Sequence, residues 1–402
     1  MTTAEPGTSS GDGAVDVDAG PAADDPPAPP APTWLQRVPG ALDRGWSCAA
    51  RLVRRAQGAL NGILGHELHE LGSALAVDLV VEPFAGQQPR AHLVVLVHGL
   101  MSTEDVWGFR GDPATNYGTL LADALDGTAL YVRYNTGRRI GENGAALAAA
   151  LEELTATWPV EVSGITLVGH SMGGLVTRSA GHHGVEAGAR WPDLVRQVFL
   201  LGAPHGGAPL ETVAHYTALG LAAVPLGAVR FAAEVLDQRS PGIKDLRHGR
   251  LLAPEPGTDG TDSPYAHRPI PLLPGAEHFI VAGHVGPTPT HLASRILGDW
   301  LVPVRSARRL SVPDDHVLVV AGTGHMALMH DRAIAEQLVA WATGQPLSPT
   351  AGAPAVEALV DDVLPVDADD DGADDEGFAP GAVDGGVAPG AGGGDDDATG
   401  TA

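Results

Sequence analysis

The stretch "ITLVGHSMGGLVTRSAG", residues 165 to 181, constrains the fold of this chain more than any other. Ile165 to Val168 form an apolar run typical of a buried strand, and the residues from Leu175 onward are typical of a helix. Between them stands the pattern G-x-S-x-G, whose glycines keep side chains out of a crowded turn. The middle residue of such a turn takes strained backbone angles. We therefore expect Ser171 at the tip of a strand-turn-helix elbow, at the positive end of the helix.

Short apolar runs alternate with helical stretches along the rest of the body. The strands are predicted in "ALAVDLVVEP", "HLVVLVHG", "TALYVRYNT", "GITLVG", "VRQVFLLGAP", "HFIVAGH" and "DHVLVVAGTGH", and the helices in "GENGAALAAALEELTATW", "SMGGLVTRSAGHHG" and "DRAIAEQLVAWATG". This alternation predicts an α/β fold, with a mostly parallel sheet and helices on both of its faces. Active sites in such sheets lie at the carboxyl ends of the strands, and Ser171 follows one of them.

A serine hydroxyl becomes a good nucleophile only when a base takes its proton and a carboxylate orients that base. In this kind of fold the three residues follow the chain order serine, acid, histidine. Asp299 in "GDWLVPVRSA" comes after the "HFIVAGH" strand, and His325 comes directly after the last strand. We therefore predict Ser171, Asp299 and His325 as nucleophile, acid and base.

Other residues compete for these roles. Asp314 and Asp315 precede the last strand, so we expect them at the opposite edge of the sheet. His330 stands at the start of the closing helix, where capping would explain it. His284 ends its own strand and is a candidate neighbour of the site rather than its base.

Two backbone N–H groups are needed to stabilise the oxyanion of a tetrahedral intermediate. The first is expected from Met172, the residue after the nucleophile, and the second from Leu100 in the loop after the "HLVVLVHG" strand. No cofactor or metal is expected. Cys48 is the one cysteine, and "HELHE", residues 66 to 70, has glutamate where the zinc motif H-E-x-x-H needs its second histidine.

Five segments, "LVVLVHGL", "GHSMGG", "LGAPHGG", "GDWLVPVRSA" and "GTGHMALMHD", occur in an order that resembles the α/β-hydrolase superfamily over residues 79 to 342. Within it the chain resembles bacterial lipases and esterases, and serine esterases related to GPI inositol-deacylases. The resemblance implies the α/β-hydrolase fold and hydrolysis of carboxylic esters through an acyl-enzyme. It also implies the same roles for Ser171, Asp299 and His325. Unlike many relatives, the sequence shows no clear antiparallel hairpin before "HLVVLVHG".

Two alternatives remain beside an esterase or lipase-like enzyme. An acyltransferase would use the same three residues, with an alcohol or lipid replacing water. A non-catalytic interaction protein would keep the fold while its acidic ends recruit partners. Cleavage of amides stays open as well.

Composition divides the chain into four predicted parts. They are an acidic, Pro/Ala-rich disordered tail (1–33), an amphipathic helical segment (34–75), the α/β domain (76–346) and an acidic, Gly/Asp-rich disordered tail (347–402). An insertion at about 204–277 separates two adjacent strands and is predicted to form a cap or lid. Its apolar part, "TALGLAAVPLGAVRFAAEVL", suits either a wall for an acyl chain or buried packing helices.

The formal net charge of −25 lies mostly in the two tails, since the rest of the chain carries 29 acidic against 24 basic residues. This balance argues against nucleic-acid binding. The expected partner is a small-molecule ester or a lipid. The segment 34–75 has apolar residues at helical spacing and a basic opposite face. We expect it to pack on the domain or on a partner protein, with binding to a membrane surface as the less favoured alternative. With no signal peptide or membrane span seen in the sequence, we expect a cytoplasmic protein.

Overall fold

The computed structural model describes residues 48–73, 76–83, 86–109, 114–208, 240–252, 270–284, 299, 302 and 304–345. All of them belong to one compact unit, Met1–Glu357, and the second unit, Ala358–Ala402, lies outside the described residues. Both predicted tails therefore lie outside the description. So does "TALGLAAVPLGAVRFAAEVL", and its role as an acyl-chain wall stays a prediction.

A seven-stranded sheet forms the centre of the described part of the molecule. Its strands are β1 (Val80–Pro83), β2 (His92–Val97), β3 (Gly127–Arg133), β4 (Gly164–His170), β5 (Val195–Leu201), β6 (Glu277–His284) and β7 (Val317–Ala321). Their order is β1-β3-β2-β4-β5-β6-β7, with β1 antiparallel to β3 and all other pairs parallel. The predicted fold class, a mostly parallel sheet of the α/β-hydrolase type, is confirmed.

Helices connect these strands. They are α1 (Cys48–Glu70), α2 (Tyr117–Ala124), α3 (Ile140–Thr157), α4 (Met172–Glu186), α5 (Trp191–Leu194), α6 (Pro241–His248), α7 (Val304–Ala307) and α8 (Arg332–Thr343). Short 3₁₀ helices occur at Glu104–Trp107, Asp314–His316 and His325–Met329. Among the described residues, no helix has the length and apolar character to cross a membrane.

The sheet is covered on both faces, and alternate side chains of strand β2 show this. Leu93 and Val95 belong to one buried cluster, which includes residues of α1, α3 and α4, whereas Val94 and Leu96 belong to the other, which includes residues of α2 and α8. Successive side chains of a strand point to opposite faces, so a strand buried on both faces reads as a continuous apolar run.

The structure differs from the sequence prediction at several elements. Helix α2 was not predicted; a capping box formed by Asn116 and Thr119 starts it. Strand β1 is shorter than the run "ALAVDLVVEP", because residues 76–79 are not strand, and β1 pairs antiparallel with β3. Strand β7 is shorter than "DHVLVVAGTGH", because Asp314–His316 forms a 3₁₀ helix ahead of it.

Candidate active site

Ser171 occupies the turn between β4 and α4 with φ 55° and ψ −126°. A positive φ is disfavoured for a residue with a side chain, and surrounding hydrogen bonds hold this one in place. The Ser171 N–H donates to Leu201 O at 2.8 Å, and Gly174 N–H donates to Ser171 O at 2.9 Å. The backbone of the predicted elbow is therefore present, and Ser171 is buried, with 5% of its surface exposed.

Glycine is required on both sides of Ser171 because other backbone lies in contact with the turn. A Cβ at Gly173 would lie 2.2 Å from Val97 O and 2.4 Å from His98 O. A Cβ at Gly169 would lie 2.6 Å from Gly174 Cα. The pattern G-x-S-x-G thus lets α4 start directly against the end of β2.

Asp299 and His325 form a buried pair. His325 Nδ1 lies 2.7 Å from Asp299 Oδ2, and each side chain is 1% exposed. The carboxylate is itself fixed, because Asp299 Oδ1 accepts from Val302 N–H at 2.8 Å. A second bond joins the two residues through the backbone, from His325 N–H to Asp299 O at 2.9 Å. With Nδ1 donating to the carboxylate, Nε2 of a neutral ring is the nitrogen that can act as a base.

Gly202 links this pair to the serine turn. A Cβ at Gly202 would lie 3.2 Å from both Asp299 Oδ2 and His325 Cε1. Its neighbour Leu201 accepts the hydrogen bond from Ser171 N–H. The three predicted catalytic residues therefore lie around the carboxyl end of β5. Gly202 was not singled out from the sequence, and its φ of 56° suits a residue without a side chain.

The loop 98–103 after β2 lies beside Ser171. A Cβ at Gly99 would come 3.0 Å from Ser171 Cβ. The following residue, Leu100, is buried, and Met101 has a φ of 58° with its N–H donating to Thr136 Oγ1 at 3.1 Å. Met172 is the first residue of α4, and the first N–H groups of a helix have no acceptor within it. Leu100 and Met172, the predicted oxyanion donors, thus belong to the two segments that flank Ser171.

A family model described as the alpha/beta hydrolase family matches residues 94–337. The chain belongs to this family. The match begins within β2 and ends within α8, so it spans all the residues of the candidate site. No curated protein matches the chain.

Several solved structures are similar to this α/β hydrolase at low identity. The mature lipase of Bacillus licheniformis is 22% identical, with a TM-score of 0.40, over 62% of this chain and 92% of that one. Carboxyl esterase 2 of Tuber melanosporum is 15% identical, with a TM-score of 0.37, over 66% and 80% of the two chains. An esterase of Pyrobaculum calidifontis is 11% identical, with a TM-score of 0.38, over 79% and 97%. The family assignment rests on the matched model and on the sheet.

Two further histidines line the site of this α/β hydrolase, and both are buried and neutral at neutral pH. Burial lowers the pKa of His98 to about 4, and burial followed by the proximity of His325 lowers the pKa of His170 well below its usual value. His170 Nε2 lies 3.1 Å from His325 O. A carbonyl only accepts, so this nitrogen carries the proton. His170 therefore holds the backbone of His325 without adding positive charge beside its ring.

Of the competing residues, the two aspartates lie at the far edge of the sheet and the two histidines lie on the side of the site. Asp314 and Asp315 are exposed in the 3₁₀ helix before β7, at the amino edge of the sheet. His330 ends the 3₁₀ helix His325–Met329. His284 is buried at the end of β6, next to Gly283, where a Cβ would lie 3.1 Å from Asp299 Cβ. Within the described ranges, no three His, Cys, Asp or Glu side chains are grouped to hold a metal ion.

Proposed function

We propose that this α/β hydrolase cleaves carboxylic esters, with Ser171 as nucleophile, His325 as general base and Asp299 as the carboxylate that orients the imidazole. The observation that carries the proposal is the buried 2.7 Å contact between His325 Nδ1 and Asp299 Oδ2, next to a serine with φ 55°. A Ser, His and Asp set with an oxyanion hole supplies the chemistry of acyl transfer from the chain's own residues.

In the first half of the reaction, Ser171 Oγ attacks the ester carbonyl while its proton passes to His325 Nε2. The negative charge that develops on the carbonyl oxygen is stabilised by the N–H groups of Leu100 and Met172, and losing one such donor raises a barrier by about 3 kcal/mol. Collapse of the intermediate breaks the ester C–O bond, and His325 gives the proton to the departing alcohol.

In the second half, His325 takes a proton from water as the water oxygen attacks the acyl-enzyme. Collapse returns the proton to Ser171 and releases the acid. The Asp299 carboxylate stabilises the imidazolium formed in each half. Neutral His170 supports this role because it lies against His325 without placing a second positive charge beside it.

The test is hydrolysis of nitrophenyl esters from acetyl to palmitoyl by the wild type and by Ser171→Ala. We expect the variant to lose activity by as much as about 10⁶-fold, and the preferred chain length to measure the acyl pocket. Ser163→Ala is the matched control, because Ser163 is an exposed serine just before the same strand, β4. Equal activity of wild type and Ser171→Ala on every ester would refute the proposal.

The same assay separates hydrolysis from acyl transfer. A hydrolase releases one free acid for each nitrophenol, with or without an added alcohol. A lasting shortfall of free acid, matched by a new ester of the added alcohol, would indicate an acyltransferase. Absence of turnover on all esters and on the corresponding nitroanilides would favour the interaction protein.

A further inference from the structure

Helix α1 lies directly against the loop 98–103, although β1 and β2 stand between the helix and this loop in the sequence. A Cβ at Gly62 would come 2.3 Å from Met101 Cγ and 3.2 Å from Met101 Cα. A Cβ at Gly58 would come 3.0 Å from both Ser102 O and Thr103 Cγ2. The helix backbone therefore touches this loop along one full turn, with no side chain of either glycine between them.

Polar contacts hold α1 in this position on either side of the glycines. Arg54 forms an ion pair with Asp105, in the 3₁₀ helix that follows the loop, and the Asp105 side chain is only 4% exposed. Asn135 Nδ2 donates to Gly65 O at 2.7 Å, and Ser240 Oγ donates to Gly62 O at 2.9 Å. These contacts fix α1 at Arg54, Gly62 and Gly65. The loop therefore cannot move away from Gly62 without also disturbing the ion pair between Arg54 and Asp105.

Met101 is the residue through which this contact reaches the site. It has a φ of 58°, a conformation that a methionine side chain disfavours, and is held there by Thr136 on its N–H and by Gly62 on its side chain. Leu100 immediately precedes it, and Gly99 lies against Ser171. Holding the backbone of Met101 in place restrains the peptide that joins it to Leu100, and so helps to restrain the direction of the Leu100 N–H.

From these contacts we propose that α1 is a positioning element for the oxyanion hole, and that Gly62 is its key positioning residue, acting through Met101 on the Leu100 N–H. This inference rests on the proposed function, because it assumes that Leu100 donates to the oxyanion. It assigns the N-terminal helical segment a role in the rate of the reaction, which neither packing on the domain nor binding to a partner would require.

The experiment is Gly62→Ala, measured with the best nitrophenyl ester of the wild type. The added methyl group would displace Met101, and we expect kcat to fall at least tenfold, towards the 10²–10³-fold that loss of one oxyanion donor costs, with KM unchanged. Ala59→Gly is the matched control, since Ala59 is buried one turn earlier in α1 and this change weakens the helix without adding an atom.

A second variant tests whether the effect passes through Met101. Met101→Gly removes the side chain that the new methyl group would strike, and glycine accepts a φ of 58°. We therefore expect the double variant Gly62→Ala/Met101→Gly to recover kcat relative to Gly62→Ala alone. If Gly62→Ala does not fold, Gly58→Ala tests the role of α1 itself, through its milder 3.0 Å contacts with Ser102 O and Thr103 Cγ2, and a smaller fall in kcat is expected.

Failure of the inference and failure of the proposed function give different results. A wild type that hydrolyses no ester refutes the proposed function, and the inference with it. An active wild type with the same kcat in folded Gly62→Ala, or a fall equal to that of Ala59→Gly, overturns the role of α1 alone. A fall in kcat that Met101→Gly does not rescue overturns the path through Met101.

Discussion

The two edges of the sheet both contain polar side chains, but they use them differently. At the amino edge, His92 on β2, Thr166 on β4 and Gln197 on β5 form a chain of hydrogen bonds, with His92 Nε2 to Thr166 Oγ1 at 2.9 Å and Thr166 Oγ1 to Gln197 Oε1 at 3.0 Å. At the carboxyl edge, Ser171 and Met101 have positive φ angles directly beyond β4 and β2.

The difference teaches where this fold supports unfavourable local conformations with neighbouring structure. Among the described residues of the amino edge, Asp126 just before β3 has a positive φ of 48°, but it is an exposed turn residue of a type that adopts this conformation readily. The amino-edge contacts join neighbouring strands, with a register shift between β4 and β5 at Ile165/Thr166, and none of the three residues has a positive φ. The carboxyl-edge residues are held in disfavoured conformations by neighbouring elements, among them α1, β5 and the loop around Thr136. Strain of this kind persists only where the surrounding structure overdetermines it, and it concentrates at functional sites.

After the loss of Ser171 itself, the largest effect is expected from Asp299→Asn. The amide keeps the size of the carboxylate and the bond from Val302 N–H, but its NH₂ group facing His325 Nδ1 would favour the tautomer with its proton on Nε2. That tautomer cannot act as base, and we expect kcat to fall by about 10⁴-fold. The measurement is the steady-state rate with the best nitrophenyl ester.

The control for this variant is Asp314→Asn, the same chemical change at an exposed carboxylate of the amino edge. It should leave kcat within about twofold of the wild type, because a surface ion pair with Arg308 contributes little. Equal losses in the two variants, or no loss in Asp299→Asn, would remove the contrast between the edges and the assignment of the acid.

Sequence patterns predicted that Ser171, Asp299 and His325 lie at the same edge of the sheet, where the structure has them. The stretch "ITLVGHSMGG" predicted the elbow, and the positions of Asp299 and His325 after their strands predicted residues that the structure joins at 2.7 Å. Both inferences depend on local order along the chain and on one topological rule, which is that the ends of parallel strands meet at one edge.

The support for that edge was not visible in the sequence. Gly62 and Met101 are far apart in the chain, although a Cβ at Gly62 would lie 2.3 Å from Met101 Cγ. The spacing of residues along α1 does not indicate which surface its glycines contact. Methionine has no preference for a positive φ, so the conformation of Met101 has no local signature. Gly202 likewise lies in an ordinary turn sequence, and only its contacts with Asp299 and His325 indicate its importance.

A smaller effect is expected in the pH dependence of stability. The pKa of buried His98 is about 4 in the folded protein, against 6.5 in the unfolded chain. Because the unfolded state binds more protons between these values, stability is complete above pH 6.5 and falls as the pH drops towards 4. His98 alone should cost about 2 kcal/mol between pH 7 and pH 5.

Urea unfolding of wild type and His98→Gln at the two pH values measures this cost. The variant should lose about 2 kcal/mol less than the wild type on acidification, whatever its stability at pH 7. His92→Gln is the comparison at the amino edge. His92 is only half-buried, and burial lowers its pKa less, so its variant should differ less from the wild type. Identical pH dependence in wild type and His98→Gln would contradict the assignment.

The smallest effect is expected from a substitution at the amino edge. Thr166→Val keeps the shape of a fully buried side chain but removes the hydroxyl that joins His92 to Gln197. Both partners lie near the ends of their strands and can turn towards water, so we expect a loss of about 1 kcal/mol in unfolding free energy. Because no strained residue depends on this hydroxyl, kcat and KM should remain those of the wild type. A fall in kcat with little loss of stability would show that strain at the carboxyl edge is transmitted along β4, and the two edges would then act as one unit.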